Sequence, residues 1–198
     1  MKTNLAAWLI GALCGLRPLP AERCPPGPAV YFANHTSHLD FVAIWAALPE
    51  AVRARTRPVA GRDYWEKTPL RRRIAGGFFR AVLIERQRVT VASNPLEPML
   101  AALAAGDSLI VFPEGTRSLD GQVHPFKPGL FHLARARPGL PLVPVHLQDL
   151  NRILPKGDSL PVPLIARLAA GPALHLQPDE PKQPFLDRAR AALLALAT

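Results

Sequence analysis

Cysteine is scarce in this chain of 198 residues, which contains only Cys14 and Cys24. Two cysteines in one short stretch cannot supply the disulfide framework that stabilises small secreted domains. We therefore expect two free thiols, outside the core, in a cytosolic protein. Aromatic residues are also few, at 7%. This low content disfavours proteins that bind single-stranded nucleic acid by stacking its bases on aromatic rings.

Acidic residues are outnumbered by basic ones, with 15 Asp and Glu against 24 Lys and Arg, so the net charge is +9. Such an excess predicts an anionic partner. Because 48% of the residues are hydrophobic and only 20% are charged, we expect that partner to be a lipid phosphate or an anionic membrane surface. We expect no nucleic acid.

The hydrophobic run Leu5–Leu16 is much shorter than the roughly 20 residues that span a bilayer. Its large apolar side chains recur at helical spacing, and Trp8 suits the level of the lipid headgroups. We predict that residues 1–19 form a helix in a membrane interface, and that the rest of the chain folds without it. A signal peptide is less consistent with the run, because no small-residue cleavage pattern follows it. The predicted apolar face consists of Leu5, Trp8, Leu9, Leu13 and Leu16.

Beyond a proline-rich linker at residues 20–28, short apolar runs alternate with helical patterns, which is typical of an α/β fold. We predict one domain, residues 28–198, built on a mixed, mostly parallel sheet flanked by helices. The prolines of the run at 140–147 favour an edge or irregular strand there. Strands are predicted at 29–32, 57–61, 81–84, 108–112 and 140–147, a closing hairpin at 165–168 and 173–176, and helices at 41–48, 63–74, 94–105, 129–137 and 185–197.

The first motif of chemical interest follows the first predicted strand, where residues 34–40 read N-H-T-S-H-L-D. The spacing lets Asp40, at the start of a helix, accept a hydrogen bond from the imidazole of His35. That pairing would fix the tautomer and leave Nε2 of His35 as a base. The simpler interpretation is that the polar residues only cap the helix. A second motif is needed to decide between the two.

That second motif, F-P-E-G-T-R-S, begins at Phe112 at the end of another buried strand. Gly115 allows a sharp turn that exposes backbone N–H groups to a ligand. Arg117 offers a fork of donors that matches a phosphate, and Glu114 could hold that fork or accept a substrate hydroxyl. A surface salt bridge is the ordinary alternative for such a pair. The candidate binding residues are Glu114, Gly115, Thr116 and Arg117, with Lys127 as a further cation.

Together, the two motifs resemble the glycerolipid acyltransferases, and specifically the 1-acylglycerol-3-phosphate acyltransferases. The first and third sequence blocks of that family are complete here, at residues 34–40 and 112–118. Two shorter elements also match, F-K-P-G at 126–129 and V-P-V at 143–145. The resemblance covers about residues 28–147.

The second block of the family is altered in this chain. Its isoleucine and arginine match Ile84 and Arg86, whereas Arg80 and Leu83 replace its glycine and phenylalanine. The resemblance assigns Arg86 to binding of the acyl acceptor. Because of the two replacements, the identity of that acceptor stays open between lysophosphatidic acid and other lysolipids, including an ornithine lipid.

The resemblance implies a direct transfer of an acyl group to a glycerol hydroxyl. His35 would act as general base and Asp40 would orient it. Arg117, Arg86 and Lys127 would hold the phosphate of the acceptor, with Glu114 and Thr116 beside them.

The resemblance also implies partners and a location. Acyl-CoA or acyl carrier protein is the expected donor, with no cofactor and no metal. Lysophosphatidic acid is the expected acceptor and phosphatidic acid the expected product. We expect a peripheral or monotopic protein on the cytoplasmic face of the inner cell membrane.

Two other kinds of protein, a metal-dependent hydrolase and a non-catalytic binding module, match part of the sequence. His35, His38 and Asp40 superficially resemble the H-x-H-x-D-H metal cluster of the metallo-β-lactamase fold, but their spacing is one residue too long and Phe41 stands at the final ligand position. A basic membrane-binding module without catalytic activity would explain the charge but not the two intact motifs.

Overall fold

Six strands form one sheet in the computed structural model, which describes residues 2–85, 94–150 and 166–197. The order across the sheet is β3-β2-β4-β1-β5-β6. All neighbouring pairs are parallel except β5 and β6, which are antiparallel. The predicted α/β fold with a mixed, mostly parallel sheet is confirmed. The strands are β1 Val30–Ala33, β2 Thr56–Gly61, β3 Val82–Ile84, β4 Ser108–Val111, β5 Leu142–Gln148 and β6 Arg167–Ala170.

Helices cover both faces of this sheet. The single helix predicted over residues 63–74 is wrong, because the chain forms two helices there. Proline at position 69 cannot donate a backbone hydrogen bond and favours extended backbone at Thr68, whose hydroxyl instead caps the second helix by accepting from the N–H of Arg71 at 3.3 Å. The helices are α1 Lys2–Cys14, α2 Asp40–Ala47, α3 Glu50–Arg53, α4 Arg62–Trp65, α5 Pro69–Arg73, α6 Leu96–Ala104, α7 Gly129–Ala136 and α8 Lys182–Leu194, with a π-helical turn at Ile74–Phe78 after α5.

The central strand β1 divides the core into two layers. Tyr31 and Ala33 pack in a cluster with residues of α1 and α2, whereas Val30 and Phe32 pack in a second cluster with residues of α6, α7 and α8. This division follows from the alternation of side chains along a strand. All four side chains are completely buried, so β1 lies at the centre of a three-layer sandwich.

The helix α1 packs against α2 through Ala7 and Cys14, which are buried in the first cluster. The expectation that the cysteines lie outside the core is therefore wrong. Cys14 is only 2% exposed and Cys24 packs against the same cluster, although both are free thiols as predicted. Burial raises the pKa of the Cys14 thiol. The other side of α1 exposes four of the five predicted apolar residues, namely Leu5, Trp8, Leu9 and Leu13.

Among the described residues, none of the helices is both long enough and apolar enough to cross a membrane. The prediction that the rest of the chain folds without the N-terminal helix is affected by the packing of α1 on α2. Because α1 covers part of the core, its removal would expose apolar surface of α2.

The predicted closing hairpin is wrong in its pairing. Ala170 pairs with Val145 of β5, and Leu174 forms a bridge with Leu142 of the same strand. The chain therefore continues along β5 after Gly171 instead of reversing, while residue 165 lies outside the described part. Since β5 has partners on both sides, the predicted edge position is also wrong. The predicted irregularity of this strand is confirmed. The pairing of β5 with the chain from β6 onwards is interrupted at Pro144, which has no N–H to donate.

Candidate active site

The loops that follow β1 and β4 meet at the carboxyl edge of the sheet, because these parallel strands are direct neighbours. Asn34 follows β1 directly and is almost fully buried. Its side-chain amide exchanges two hydrogen bonds with the main chain of Leu147 on β5, each at 2.8 Å. This contact fixes the start of the loop that carries His35.

His35 and Asp40 form the predicted hydrogen bond. Nδ1 of His35 lies 2.8 Å from Oδ2 of Asp40, which is completely buried at the first position of α2. The same oxygen accepts the backbone N–H groups of Thr36 and Ser37, at 2.6 and 2.8 Å. Three donors thus hold the carboxylate in place, and the imidazole is left with Nε2 for a substrate.

The ring of His35 also stacks on Phe112, with centroids 4.1 Å apart and an angle of 19° between the planes. Phe112 follows directly after β4, so the second motif supplies the surface on which the histidine rests. The imidazole is 20% exposed. Stacking on Phe112 and the hydrogen bond to Asp40 together fix the orientation of the imidazole ring, whose remaining side is exposed.

Glu114 connects the two loops and is only 4% exposed. Its Oε1 accepts the backbone N–H of His35 and its Oε2 accepts that of His124, both at 2.9 Å. In return, the N–H of Ser118 donates to the carbonyl oxygen of His35 at 2.7 Å. The carboxylate of Glu114 therefore binds main chain rather than Arg117, and sequence reasoning did not identify this role because the partners are 79 residues apart.

Gly115 has a φ of +72°, in the left-handed region that favours glycine. The side chain of Lys127 crosses directly over it, so a Cβ at this position would lie 2.8–2.9 Å from carbon and nitrogen atoms of the lysine. The backbone N–H of Lys127 donates to the carbonyl oxygen of Pro113 at 2.8 Å. Glycine is therefore favoured here by its backbone conformation, and a Cβ would displace the flexible end of the lysine from its position over the turn.

Two cations remain unpaired at this edge of the sheet. Within the described part of the chain, neither Arg117 nor Lys127 makes an ion pair. Both line the same cavity as His35. An unpaired guanidinium and an unpaired ammonium beside a base are suited to an anionic substrate group.

The cavity has a volume of about 610 Å³ and extends from His35 between the two layers of helices. That volume is within the range of ligand pockets in proteins. Its polar lining residues include His35, Arg117 and Lys127, and also Asp63, Lys67 and Glu85. The apolar wall includes contributions of α4 and α6 that the sequence did not reveal. The apolar wall includes Val59, Trp65, Phe79, Leu96, Met99 and Leu133.

His38 stacks on Tyr64, with ring centroids 5.0 Å apart, and the guanidinium of Arg71 lies 4.3 Å from the centre of the same ring. Partial burial, followed by the charge of Arg117, lowers the pKa of His38. The imidazole of His38 therefore stacks on an aromatic ring and lies near the cations Arg71 and Arg117. A search of the described residues for three clustered His, Cys, Asp or Glu side chains that could hold a metal ion gives none.

Two other predicted binding residues have a different outcome. Thr116 is exposed and does not line the cavity, although it lies between Gly115 and Arg117. Arg86 lies outside the described residues, just beyond Glu85, which does line the cavity. The structure thus brings together His35, Asp40, Gly115, Arg117 and Lys127, with Glu114 beneath them.

A family model described as Acyltransferase matches residues 18–148, which include both motifs and five of the six strands. The chain belongs to this acyltransferase family. The resemblance predicted from the two motifs is confirmed, and its predicted span of residues 28–147 lies inside the matched region.

Similarity to individual acyltransferases leads to the same family. The chain is 32% identical over 150 residues to the chloroplastic 1-acyl-sn-glycerol-3-phosphate acyltransferase BAT2 of Brassica napus, a match that covers 73% of this chain and 39% of the relative. It is 36% identical over 128 residues to the human 1-acyl-sn-glycerol-3-phosphate acyltransferase alpha, covering 63% and 42%. The chain thus matches about two fifths of the length of these curated relatives.

A solved structure is similar in fold to this chain. It is the crystal structure of the 1-acyl-sn-glycerophosphate acyltransferase PlsC from Thermotoga maritima, with a TM-score of 0.75 and 20% sequence identity. The match covers 99% of this chain and 77% of the other. The sheet and its flanking helices are therefore those of a known acyltransferase fold.

One of the two replacements in the altered second block has a structural explanation. Arg80, which replaces a glycine of the family's second block, has a φ of +51° and so retains the left-handed backbone that glycine favours. Its guanidinium pairs with Asp107 at 3.0 Å and donates to the carbonyl oxygen of Ala54 at 3.3 Å. Arg57 pairs with the same carboxylate at 3.2 Å. These contacts hold the turn before β3.

Proposed function

We propose that this protein transfers a fatty acyl group from acyl-CoA or acyl carrier protein to the free hydroxyl of lysophosphatidic acid, and so forms phosphatidic acid. The observation that carries the proposal is the His35–Asp40 pair at an apolar cavity, next to two unpaired cations. Membership of the acyltransferase family supports the type of reaction. The names of the relatives support the choice of acceptor.

His35 is the general base in the proposed reaction. Its Nε2 takes the proton of the acceptor hydroxyl while that oxygen attacks the thioester carbonyl of the donor. Asp40 orients the ring through Nδ1 and stabilises the imidazolium that forms. When the tetrahedral intermediate collapses, the carbon–sulfur bond breaks and the proton passes from His35 to the departing thiolate. An ester has then formed without a covalent bond to the protein.

Arg117 and Lys127 bind the phosphate of the acceptor. Both line the cavity together with His35, so a phosphate held between them keeps the attached glycerol within reach of the base. Glu114 contributes indirectly, because its two hydrogen bonds to main chain fix the loop of His35. Arg86 and Thr116 complete the proposed phosphate site from the sequence resemblance.

The apolar part of the cavity accommodates an acyl chain. Aliphatic and aromatic side chains from β2, α4, α6 and α7 line the same cavity as His35. Burying an alkyl chain there removes apolar surface from water, which favours binding of long-chain substrates over short ones. A substrate in this position presents its reactive end to His35.

The protein binds peripherally or monotopically at the cytoplasmic face of the inner membrane in this proposal. The exposed side of α1, with Leu5, Trp8, Leu9 and Leu13, inserts among the lipid headgroups. The net charge of +9 favours an anionic leaflet. Both donors are supplied from the cytoplasm, and the acceptor and product reside in the bilayer.

An acyl-transfer assay tests this function. Purified protein is incubated with each donor against a panel of acceptors that contains lysophosphatidic acid, lysophosphatidylcholine, a lyso-ornithine lipid and a monoacylglycerol, and the products are identified by mass spectrometry. We expect phosphatidic acid to form at the highest kcat/KM. A preference for a phosphate-free acceptor would overturn the choice of acceptor, and no transfer to any acceptor would overturn the function.

A further inference from the structure

The stretch from Pro69 to Phe79, which we name the basic segment, is unusual in its charge. Between Glu66 and Glu85 the sequence contains no acidic residue. Two of its arginines, Arg72 and Arg73, are exposed and make no ion pair with the residues that the structure describes. The basic residues between the two glutamates are Lys67, Arg71, Arg72, Arg73 and Arg80.

The basic segment also exposes large apolar side chains. Leu70, Ile74 and Phe78 are 68%, 37% and 38% exposed, and they follow one another at intervals of four residues. Side chains at this interval lie on one side of a helical segment. Exposed apolar groups are unfavourable in water, and together with adjacent unpaired cations they suit the surface of a bilayer.

Aromatic contacts pack the basic segment against α2. Phe79 packs edge to face against Phe41 and Trp45 of α2, and Phe78 contacts Trp45 with ring centroids 5.5 Å apart. Arg71 lies over the ring of Tyr64. A ligand bound to the exposed side of the segment is therefore held in a defined position relative to α2.

The same segment forms part of the cavity wall. Ala75 and Phe79 line the cavity, together with Tyr64 of the preceding helix. The segment thus has one side towards the cavity and another that exposes cations and apolar groups to the surroundings. It also contacts α2, against which α1 packs, so both elements lie in the layer on the same face of the sheet.

We propose that the basic segment is a second membrane-binding surface, separate from α1, which docks on an anionic lipid bilayer. Leu70, Ile74 and Phe78 enter the headgroup region, and Arg72 and Arg73 bind lipid phosphates. Docking through this segment brings the cavity next to the bilayer, which, on the proposed function, is where the lipid acceptor is dissolved. Membrane binding itself does not depend on the acyl-transfer chemistry.

A bilayer fits this surface better than an acidic protein does. The arginines alone would suit either partner, including an acyl carrier protein. The apolar side chains distinguish them, because they are exposed beside the cations on a short helical segment and can enter the headgroup region of a bilayer together with them. Carrier-protein binding is therefore the competing outcome of the test.

Cosedimentation with vesicles tests the proposal on the full chain. Vesicles of phosphatidylcholine with phosphatidylglycerol are compared with phosphatidylcholine alone. The test variants are the double reversal Arg72→Glu, Arg73→Glu and the single change Ile74→Ser. Matched controls on the other face of the sheet are Arg135→Glu, Lys182→Glu, which changes the net charge equally, and Leu194→Ser, since Leu194 is 38% exposed. Circular dichroism melting checks that all variants fold.

We expect the double reversal to weaken binding to anionic vesicles by roughly tenfold or more, because each basic residue at such a surface strengthens binding by about fivefold. Ile74→Ser should weaken it by about threefold, as expected for an apolar group withdrawn from the interface. The two controls should bind nearly as the unchanged protein does. Unchanged binding of both test variants, or equal losses in tests and controls, would overturn the proposal.

A final comparison separates this proposal from the others. If the double reversal lowered affinity for acyl carrier protein while vesicle binding stayed intact, the segment would be a protein-docking surface instead. Because neither binding assay requires turnover, a protein inactive in acyl transfer that still showed the expected vesicle losses would refute the proposed function and leave the membrane surface standing.

Discussion

The centre of the sheet and its β3 edge hold their loops by different means. At the centre, the loops after β1 and β4 are joined by bonds from buried side chains to main chain, as with Asn34 to Leu147 and Glu114 to His35. At the edge, the turn before β3 places Arg80 in a left-handed conformation and is held by ion pairs to Asp107.

This difference explains where the chain keeps the family's motif and where it departs from it. A buried carboxylate that accepts specific backbone N–H groups cannot be replaced without leaving those donors unsatisfied. An arginine at the surface can replace a glycine if its ion pair offsets the cost of the conformation. We therefore expect changes at the centre to affect catalysis strongly, and changes at the edge to affect stability slightly.

The largest effect is expected for His35→Ala. Removal of the base should abolish nearly all acyl transfer, because the remaining groups can only bind and orient the substrates. Initial rates with lysophosphatidic acid measure this, and melting by circular dichroism verifies the fold. His175→Ala, an exposed histidine outside the cavity, serves as the control. Near-normal turnover of His35→Ala would rule out the proposed mechanism.

Asp40→Asn should lower kcat by roughly 10²–10⁴-fold, because the amide keeps the size of the side chain but not the charge that stabilises the imidazolium. The buried Oδ1 of Asp40 has no hydrogen-bond partner among the described residues, so an amide nitrogen placed there would also cost some stability. Asp187→Asn on the exposed side of α8 is the matched control. Equal rates for the two variants would show that Asp40 is structural only.

Arg117→Ala tests the cations at the centre. Loss of a charge-assisted contact with the phosphate should reduce kcat/KM for lysophosphatidic acid by about 2–4 kcal/mol in transition-state stabilisation. A monoacylglycerol, which has no phosphate, should be affected much less. Arg135→Ala on α7 should leave both acceptors unchanged. The assignment of the phosphate site fails if Arg117→Ala lowers kcat/KM for both acceptors alike.

The sequence predicted the hydrogen bond between His35 and Asp40, because the two residues are only five positions apart and local spacing is visible in a chain. It could not predict that Glu114 braces the loop of His35, since the two lie 79 residues apart and only the parallel pairing of β1 with β4 brings them together. The apolar cavity wall supplied by α4 and α6 could not be predicted for the same reason. Its residues share no pattern along the chain and meet only in the folded cavity.

The helix α1 shows a second limit of sequence reasoning. Its large side chains Leu5, Trp8, Leu9 and Leu13 predicted an apolar face, and the structure exposes that face. The other side of the helix packs on the core through Ala7 and Cys14, with Ile10 partly buried beside them. The sequence pattern alone does not show which of the two apolar sides the fold covers, because that depends on the position of α2.

The smallest expected effect lies at the β3 edge, in a comparison of Arg80→Ala with Arg80→Gly. Both lose the ion pair with Asp107, but only glycine also relieves the left-handed conformation, which costs a residue with a Cβ about 1–2 kcal/mol. Arg80→Gly should therefore be more stable than Arg80→Ala by about 1 kcal/mol in urea unfolding. The same two substitutions at Asp187, within α8, should give the opposite order, because glycine destabilises a helix by about 1 kcal/mol relative to alanine. If alanine were the more stable residue at both positions, the backbone at position 80 would carry no strain, and the ion pair would not be needed to hold the turn.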